Sequence, residues 1–142
     1  MNPGEIIDRY IIEAPLGEGG MARVYRVRHQ TLGSRHALKI LHPHLLAHED
    51  LRQRFLAEGR IQARLRHPHL VPVTDIISRP GLAGLVMDLL EGEDLERVLQ
   101  RGPVSAQTAR RWTLQALSAL SFVHGHGTVS YTHLTLPTIQ PV

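Results

Sequence analysis

The segment LGEGGMARVY, Leu16–Tyr25, carries the clearest structural signal in this 142-residue chain. The segment before it, Tyr10–Leu16, is a short apolar run that ends at a glycine, and Ala22–His29 alternates between β-forming residues. Two such segments around a glycine-rich turn predict a β-hairpin. The next segment, RHALKIL at Arg35–Leu41, predicts a third strand that stops at Pro43.

The rest of the chain predicts an α+β domain with a small antiparallel sheet. Residues 50–65 predict a helix, and its shared face would hold Leu51, Phe55, Glu58, Ile61 and Leu65. Two more strands are predicted at Val71–Ile77 and Leu82–Leu90. Asp94 and Ser105 are predicted to cap two further helices, Leu95–Gln100 and a longer one that ends near Gly125.

Two charged residues interrupt otherwise apolar surfaces. Ala37, Lys39 and Leu41 point to one side of the third strand, and Lys39 is the one polar residue among them. Glu58 lies among the apolar residues of the predicted helix. A buried ammonium needs an anion, so the two predict a pair, although desolvation cancels most of the attraction within it. A ligand that the lysine also serves explains the arrangement better. The alternative is that Lys39 extends to solvent from an edge strand and Glu58 lies at the margin of the stripe.

The glycine-rich turn is suited to binding a phosphate. Gly17, Glu18, Gly19 and Gly20 at a hairpin tip allow backbone N–H groups to approach an anion without Cβ atoms in the way. A dinucleotide-binding fingerprint is excluded, because a strand pattern follows the glycines and no acidic residue occurs between Glu18 and Glu49. A P-loop is also excluded, because no Gly-Lys-Ser/Thr sequence follows the turn.

Together these segments resemble the eukaryotic-type protein kinases, and the particular residues in their motifs resemble those of the bacterial Ser/Thr kinases. LGEGGMARVY is similar to the glycine-rich loop of that family, with Ala22 in place of the third glycine, and HALKIL carries its strand-three lysine. FLAEGRIQARLRHPHLV resembles helix αC and the following loop, and LVMDLLEGEDL resembles strand five and the hinge. The resemblance implies a kinase N-lobe, with a five-stranded sheet and helix αC, followed by the hinge and the first helices of the C-lobe.

The resemblance implies an ATP site and gives both buried charges a role. Lys39 would contact the α- and β-phosphates while Glu58 holds it in place, and the glycine loop would cover the phosphates. Val24 and Ala37 would sandwich the adenine ring, beside a gatekeeper at Met87. The residues implied to bind the nucleotide are Gly17, Glu18, Gly19, Gly20, Val24, Ala37, Lys39, Glu58, Met87, Asp88 and Leu90. The expected cofactor is ATP, with Mg²⁺ in the intact domain.

The resemblance covers residues 8–129, with an N-lobe at 8–87, a hinge at 88–92 and the start of a C-lobe at 93–129. Ser130, Tyr131 and Thr132 stand where the family's H-R-D motif would begin, and no Asp or Asn follows Asp94. A threonine hydroxyl cannot accept a proton as an aspartate does, so we assign no catalytic or metal-binding residue. We interpret residues 130–142 as a tail foreign to the family, produced by a frame change or an assembly junction. The alternative is a genuine divergent sequence.

The function implied is that of an ATP-dependent protein serine/threonine kinase, which transfers the γ-phosphoryl group to protein hydroxyls, although this chain itself is expected to be inactive. The alternative is a non-catalytic nucleotide-binding or protein-interaction module derived from a kinase lobe. We also expect the helix beyond Ser105 to turn its apolar stripe towards water, because its packing partners would be missing. That stripe comprises Ala109, Trp112, Ala116, Leu120 and Val123.

Composition excludes several other classes of protein. The chain has no cysteine, which removes disulfide scaffolds and thiolate metal sites and favours a reducing compartment such as the cytoplasm. The resemblance to the bacterial kinases adds the alternative that the chain is the cytoplasmic part of a longer membrane-anchored protein. The formal charge of +3 is too small to require nucleic acid, and the arginines of the 50–66 region are expected to form a solvated face. No segment reaches the roughly 18 apolar residues of a membrane helix. Three H-x-H pairs lie beside prolines or a glycine, and we do not expect them to bind a metal.

Overall fold

The computed structural model describes residues 1–125, which form two compact units. The first unit comprises Met1–Arg64 and Pro72–Leu89, and the second comprises Leu65–Val71 and the chain from Leu90 onwards. The predicted tail at 130–142 lies outside the described residues, as does His126 of the third H-x-H pair.

The first unit is built on one antiparallel sheet. Its strands are β1 (Ile6–Ile7), β2 (Tyr10–Glu18), β3 (Ala22–His29), β4 (Arg35–Leu41), β5 (Val73–Arg79) and β6 (Leu82–Asp88). They lie in the order β1-β2-β3-β4-β6-β5. The α+β class and the glycine-turn hairpin are confirmed. The predicted count of five strands is wrong by one, because β1 contributes only two residues to the sheet and is too short to show a strand period.

One face of the sheet carries the main core of this unit. Tyr25, Leu38 and Val86 lie opposite one another across β3, β4 and β6, and all three are buried. The sheet curls around this core until β2 meets β5, where the Tyr10 hydroxyl donates to Oδ2 of Asp75 at 2.9 Å. Burial raises the pKa of Tyr10 to about 12, and the hydrogen bond to the Asp75 carboxylate acts in the same direction.

Helices α1 (Pro43–Leu46) and α2 (Glu49–Arg64) follow β4, and α2 packs against β5 and β6. Pro43 stands in the first turn of α1, where its missing N–H costs nothing, so it ends the strand and begins a helix that the sequence did not predict. Gly59 allows close packing of α2, because a Cβ there would lie 2.3 Å from Cδ2 of Leu85.

The predicted face of α2 is partly wrong. The buried residues are Phe55, Leu56, Gly59 and Gln62. Leu51, Glu58 and Ile61 are half-buried at the margin of this face, and Leu65 lies beyond the helix end. The buried face includes Gly59 and Gln62, and a prediction based on the spacing of apolar side chains leaves out both residues.

The second unit contains α3 (Leu95–Gln100) and α4 (Ala106–Gly125). Both predicted caps are confirmed, since Asp94 accepts the Arg97 N–H at 2.8 Å and Ser105 accepts the Thr108 N–H at 3.1 Å. None of the helices within residues 1–125 is long and apolar enough to cross a membrane.

Of the apolar stripe of α4, which was predicted to face water, Ala109 is exposed and Ala116 and Leu120 are half-buried. Trp112 and Val123 of that stripe are buried. The large apolar residues that α4 exposes are Leu114 and Leu117, each 54% exposed.

Candidate functional site

The register of the sheet brings four of the predicted site residues to one face. Gly17 lies opposite Val24, and Val24 lies opposite Lys39. Two residues along β4, Ala37 lies opposite Met87 on β6. Directly opposite residues share a face and the strand period is two, so Val24, Ala37, Lys39 and Met87 line the face opposite the core. This is the face against which α2 packs.

Lys39 is a half-buried cation on this face and the only lysine in the sequence. Burial lowers the pKa of its ammonium group, while the negative charge of Glu58 acts in the opposite direction. The charge of Glu58 on α2 therefore acts on Lys39 on β4, as the predicted pair requires. Glu58 does lie at the margin of the buried face of α2, as the alternative interpretation expected, and its charge still acts on Lys39.

The glycine-rich turn is held in a defined shape. The Gly19 N–H donates to the Ala22 carbonyl at 2.9 Å, and Arg23 pairs with the Glu18 carboxylate at 3.0 Å across the turn. In the described part of the chain, a Cβ at Gly17 or Gly20 would meet nothing within 4 Å. The packing of the protein itself therefore does not require glycine at these two positions. A ligand that approaches the backbone closely would require it, because a Cβ would stand in the way.

The predicted hinge residues lie at the end of β6 and beyond it. Asp88 is the last residue of the strand, and its N–H donates to the Pro72 carbonyl at 3.3 Å, so this donor is already engaged. Leu90 belongs to the second unit and is 43% exposed.

Two polar clusters beside the site were missed by the sequence interpretation. The side chain of His42 contacts the tip of the glycine turn, with Nε2 2.8 Å from the Gly19 carbonyl oxygen. On the sheet, Glu13 accepts hydrogen bonds from Arg26 at 3.2 Å and Arg35 at 3.0 Å. Partial burial opposes ionisation of Glu13, but these hydrogen bonds and positive charges prevail and lower its pKa. Neither cluster has a periodic signal in the sequence, because its partners come from separate segments.

Among the arginines of α2, the predicted solvated face is confirmed for Arg54, Arg60 and Arg64, which are exposed. It is wrong for Arg52, whose guanidinium donates to Ser78 Oγ at 2.9 Å and to the Arg79 carbonyl at 3.2 Å. Arg52 therefore joins the start of α2 to the end of β5.

The chain has a curled antiparallel sheet with a helix packed on one face, a glycine-rich hairpin, and a lysine on which a glutamate of that helix acts. These are the features of the N-lobe of a protein kinase. The protein kinase domain family matches residues 10–134, and the chain belongs to this family.

Similar proteins are serine/threonine-protein kinases. The chain is 41% identical over 134 residues to the DNA damage-responsive serine/threonine-protein kinase RqkA of Deinococcus radiodurans, covering 91% of this chain and 20% of that protein. It is 35% identical over 133 residues to the serine/threonine-protein kinase PkaA of Streptomyces coelicolor, covering 85% of this chain and 24% of that protein. The chain therefore spans about a quarter or less of the length of these relatives.

Solved structures share the fold. The kinase domain of Mycobacterium tuberculosis PknI matches with a TM-score of 0.73 at 29% identity, covering 91% of this chain and 53% of that domain. The apo form of PpkA-294 matches with a TM-score of 0.78 at 22% identity, over 91% of this chain and 53% of that chain. The predicted membership of the kinase family and the predicted kinase-like fold are confirmed.

Proposed function

We propose that this chain is the nucleotide-binding part of a serine/threonine protein kinase domain and that it binds ATP. The observation that carries the proposal is the position of Lys39: a half-buried cation beside the Glu58 charge, in one cross-strand row with Val24 and Gly17. A fold that gained only stability from this position would place an apolar residue there, because a half-buried ammonium is disfavoured by desolvation. A phosphate ligand would explain the charge, because its oxygens would accept hydrogen bonds from the Lys39 ammonium group.

The residues of the site fit ATP in charge and polarity. Lys39 would donate to phosphate oxygens, and the Glu58 carboxylate would keep the ammonium group charged and oriented. The open backbone at Gly17 and Gly20 would approach the phosphates, while Val24 and Ala37 offer apolar surface to the base. The remaining proposed contacts within the first unit are at Glu18, Gly19, Met87 and Asp88.

The residues present do not fit the Mg²⁺ ion that family members use. Within residues 1–125, no group of three histidine or carboxylate side chains is arranged to hold a metal ion. The sequence after Glu96 contains no Asp, Glu or Asn, so it offers no carboxylate ligand to a divalent cation. We therefore derive no step through Mg²⁺ for this chain.

We propose protein phosphorylation as the activity of the complete kinase, with ATP as the phosphoryl donor, a protein hydroxyl as the acceptor and the cytoplasm as its location. A general base is needed to accept the proton of that hydroxyl, and no aspartate follows Asp94 in this sequence. The same observation favours a second candidate function for this chain itself, a module that binds nucleotide without transferring the phosphoryl group.

The test uses Lys39, because a chain with a single lysine can be labelled selectively. An acyl phosphate of ATP that binds in the site should transfer its acyl group to the Lys39 amine with release of ATP. Peptide mapping would separate this adduct from one on the Met1 amine. We expect labelling of Lys39 that an excess of ATP suppresses. Labelling that ATP leaves unchanged would contradict the proposed site.

A matched pair of variants measures the contribution of the lysine. Lys39→Met should weaken ATP binding by about 10- to 100-fold, the range for a hydrogen bond to a charged group. Arg60→Met removes one positive charge from the exposed side of α2 and should leave the affinity unchanged. In a radiolabel assay with a protein acceptor, this chain should transfer no phosphoryl group. Detection of phosphoryl transfer would exclude the second candidate function, a module that binds nucleotide without catalysis.

A further inference from the structure

His42 lies between β4 and α1, beside the tip of the glycine-rich turn, and its side chain is only 13% exposed. Its Nε2 lies 2.8 Å from the Gly19 carbonyl oxygen. A carbonyl oxygen can only accept, so the ring must carry a proton on Nε2 and donate it. The backbone N–H of His42 donates to the Met21 carbonyl at 2.9 Å. One residue therefore holds the carbonyl groups on both sides of Gly20.

The surroundings of His42 fix the orientation of its ring. The Glu18 carboxylate lies 3.8 Å from Nε2, on the side of the turn where Glu18 also pairs with Arg23. The ring of His44 stacks on that of His42, with ring centroids 5.4 Å apart and planes inclined by 17°. A ring held in this way loses little further freedom when it donates its hydrogen bond to the turn.

We propose that His42 is a positioning residue that latches the tip of the glycine-rich turn, residues 17–22, to the end of β4. The latch preorganises the backbone N–H groups of the turn for the phosphates of a nucleotide, and in this respect it rests on the proposed function. Glycine has more backbone freedom than any other residue, so a turn rich in glycine gains most from an external anchor.

The latch acts on the phosphate end of the site alone. Val24 and Ala37, the proposed base contacts, lie within β3 and β4 and are held by strand pairing instead of by His42. Removal of the latch should therefore weaken binding of phosphate-bearing ligands and leave adenosine binding unchanged. A general structural role of His42 would weaken both to the same extent.

The first experiment measures hydrogen exchange of the Gly19 amide in the nucleotide-free 142-residue chain. We expect exchange to accelerate by about 3- to 10-fold in His42→Ala, the equivalent of one hydrogen bond. His42→Gln should restore slow exchange, because its side-chain amide can donate from near the position of Nε2. His44→Ala removes the stacking partner but keeps the hydrogen bond of His42, so it should accelerate exchange of the Gly19 amide less than His42→Ala does. Amides in the middle of β4 serve as the reference for global stability.

The second experiment compares ADP and adenosine by calorimetric titration. His42→Ala should weaken ADP binding by about 3- to 10-fold and leave adenosine binding unchanged. An unchanged Gly19 amide in His42→Ala would overturn the latch. Faster exchange with unchanged ADP affinity, or an equal loss for both ligands, would overturn the positioning role. If the parent chain bound neither ligand, the proposed function would fail, and the exchange measurement would still decide whether the latch exists.

Discussion

The packing of α2 on β6 at Gly59 can be tested by adding a single methyl group. In Gly59→Ala the new Cβ would lie 2.3 Å from Cδ2 of Leu85, 3.2 Å from Cδ1 and 3.3 Å from Cγ. Carbon atoms pack at about 3.5–4.0 Å, so the helix and the leucine must separate by about 1.2 Å or more. Leu85 is 3% exposed, so its side chain has little room to withdraw.

Two opposing effects set the size of the change. Alanine favours a helix interior over glycine by about 1 kcal/mol. Overpacking a close-packed contact costs about 1–3 kcal/mol. We therefore expect Gly59→Ala to lower the free energy of unfolding by about 1 kcal/mol, which corresponds to a fall in Tm of about 4–8 °C for a unit of this size. The displaced helix would also carry Glu58 away from Lys39, so ATP affinity should fall as well.

The assay is urea denaturation followed by circular dichroism, with a double-mutant cycle. Leu85→Val removes both Cδ atoms, and in that background Gly59→Ala should be neutral or stabilising. Ala57→Gly, at an exposed position of the same helix, reports the intrinsic propensity alone and should cost about 1 kcal/mol. If Gly59→Ala had the same effect with leucine and with valine at position 85, the steric explanation would be refuted.

Three further predictions concern hydrogen bonds of single side chains. The folded chain keeps the Tyr10 proton up to about pH 12, whereas the unfolded chain releases it near pH 10.0. The free energy of unfolding should therefore fall between these values, and Tyr10→Phe should abolish the fall in a pH series of urea titrations. The pKa of Glu13 is lowered, so its stabilisation is present above its unfolded pKa of 4.5 and is lost as the pH falls through its folded pKa. Glu13→Gln should reduce this loss of stability in acid and should lower the free energy of unfolding at neutral pH. The difference in free energy between the variant and the parent chain at neutral pH should shrink in about 1 M NaCl, and a difference that salt leaves unchanged would argue against a charge effect. Ser105→Ala should cost α4 about 1 kcal/mol and speed exchange of the Thr108 amide, whereas Ser105→Asp should preserve both.

Features that depend on neighbouring residues were predictable. The hairpin around Gly17–Gly20 follows from a local contrast between glycine and β-forming residues. The two N-caps follow from residue type at a helix boundary. The orientation of Lys39 follows from the two-residue period of β4, since Leu38 and Ile40 belong to the core on the other face of the sheet.

Features that depend on contacts between distant segments were not predictable from pattern. The face of α2 is rotated from the predicted one, because its closest contact is made by Gly59, which an apolar stripe does not include. The sequence pattern predicts a solvated side chain for Arg52, but its guanidinium donates a hydrogen bond to Ser78 of β5. The two-residue strand β1 carries too few residues for any period.

From the amino-acid sequence alone we could predict the glycine-rich turn, the two opposed charges at Lys39 and Glu58, and the order of the strands and helices other than β1 and α1. These depend on short-range periodicity and residue type, which a single chain displays directly. The tertiary structure decided that β2 would curl round to β5, that Glu58 would act on Lys39 from the margin of its helix, and that His42 would hold the turn. Each of these depends on a contact between segments far apart in the chain, and close packing in three dimensions selects such contacts.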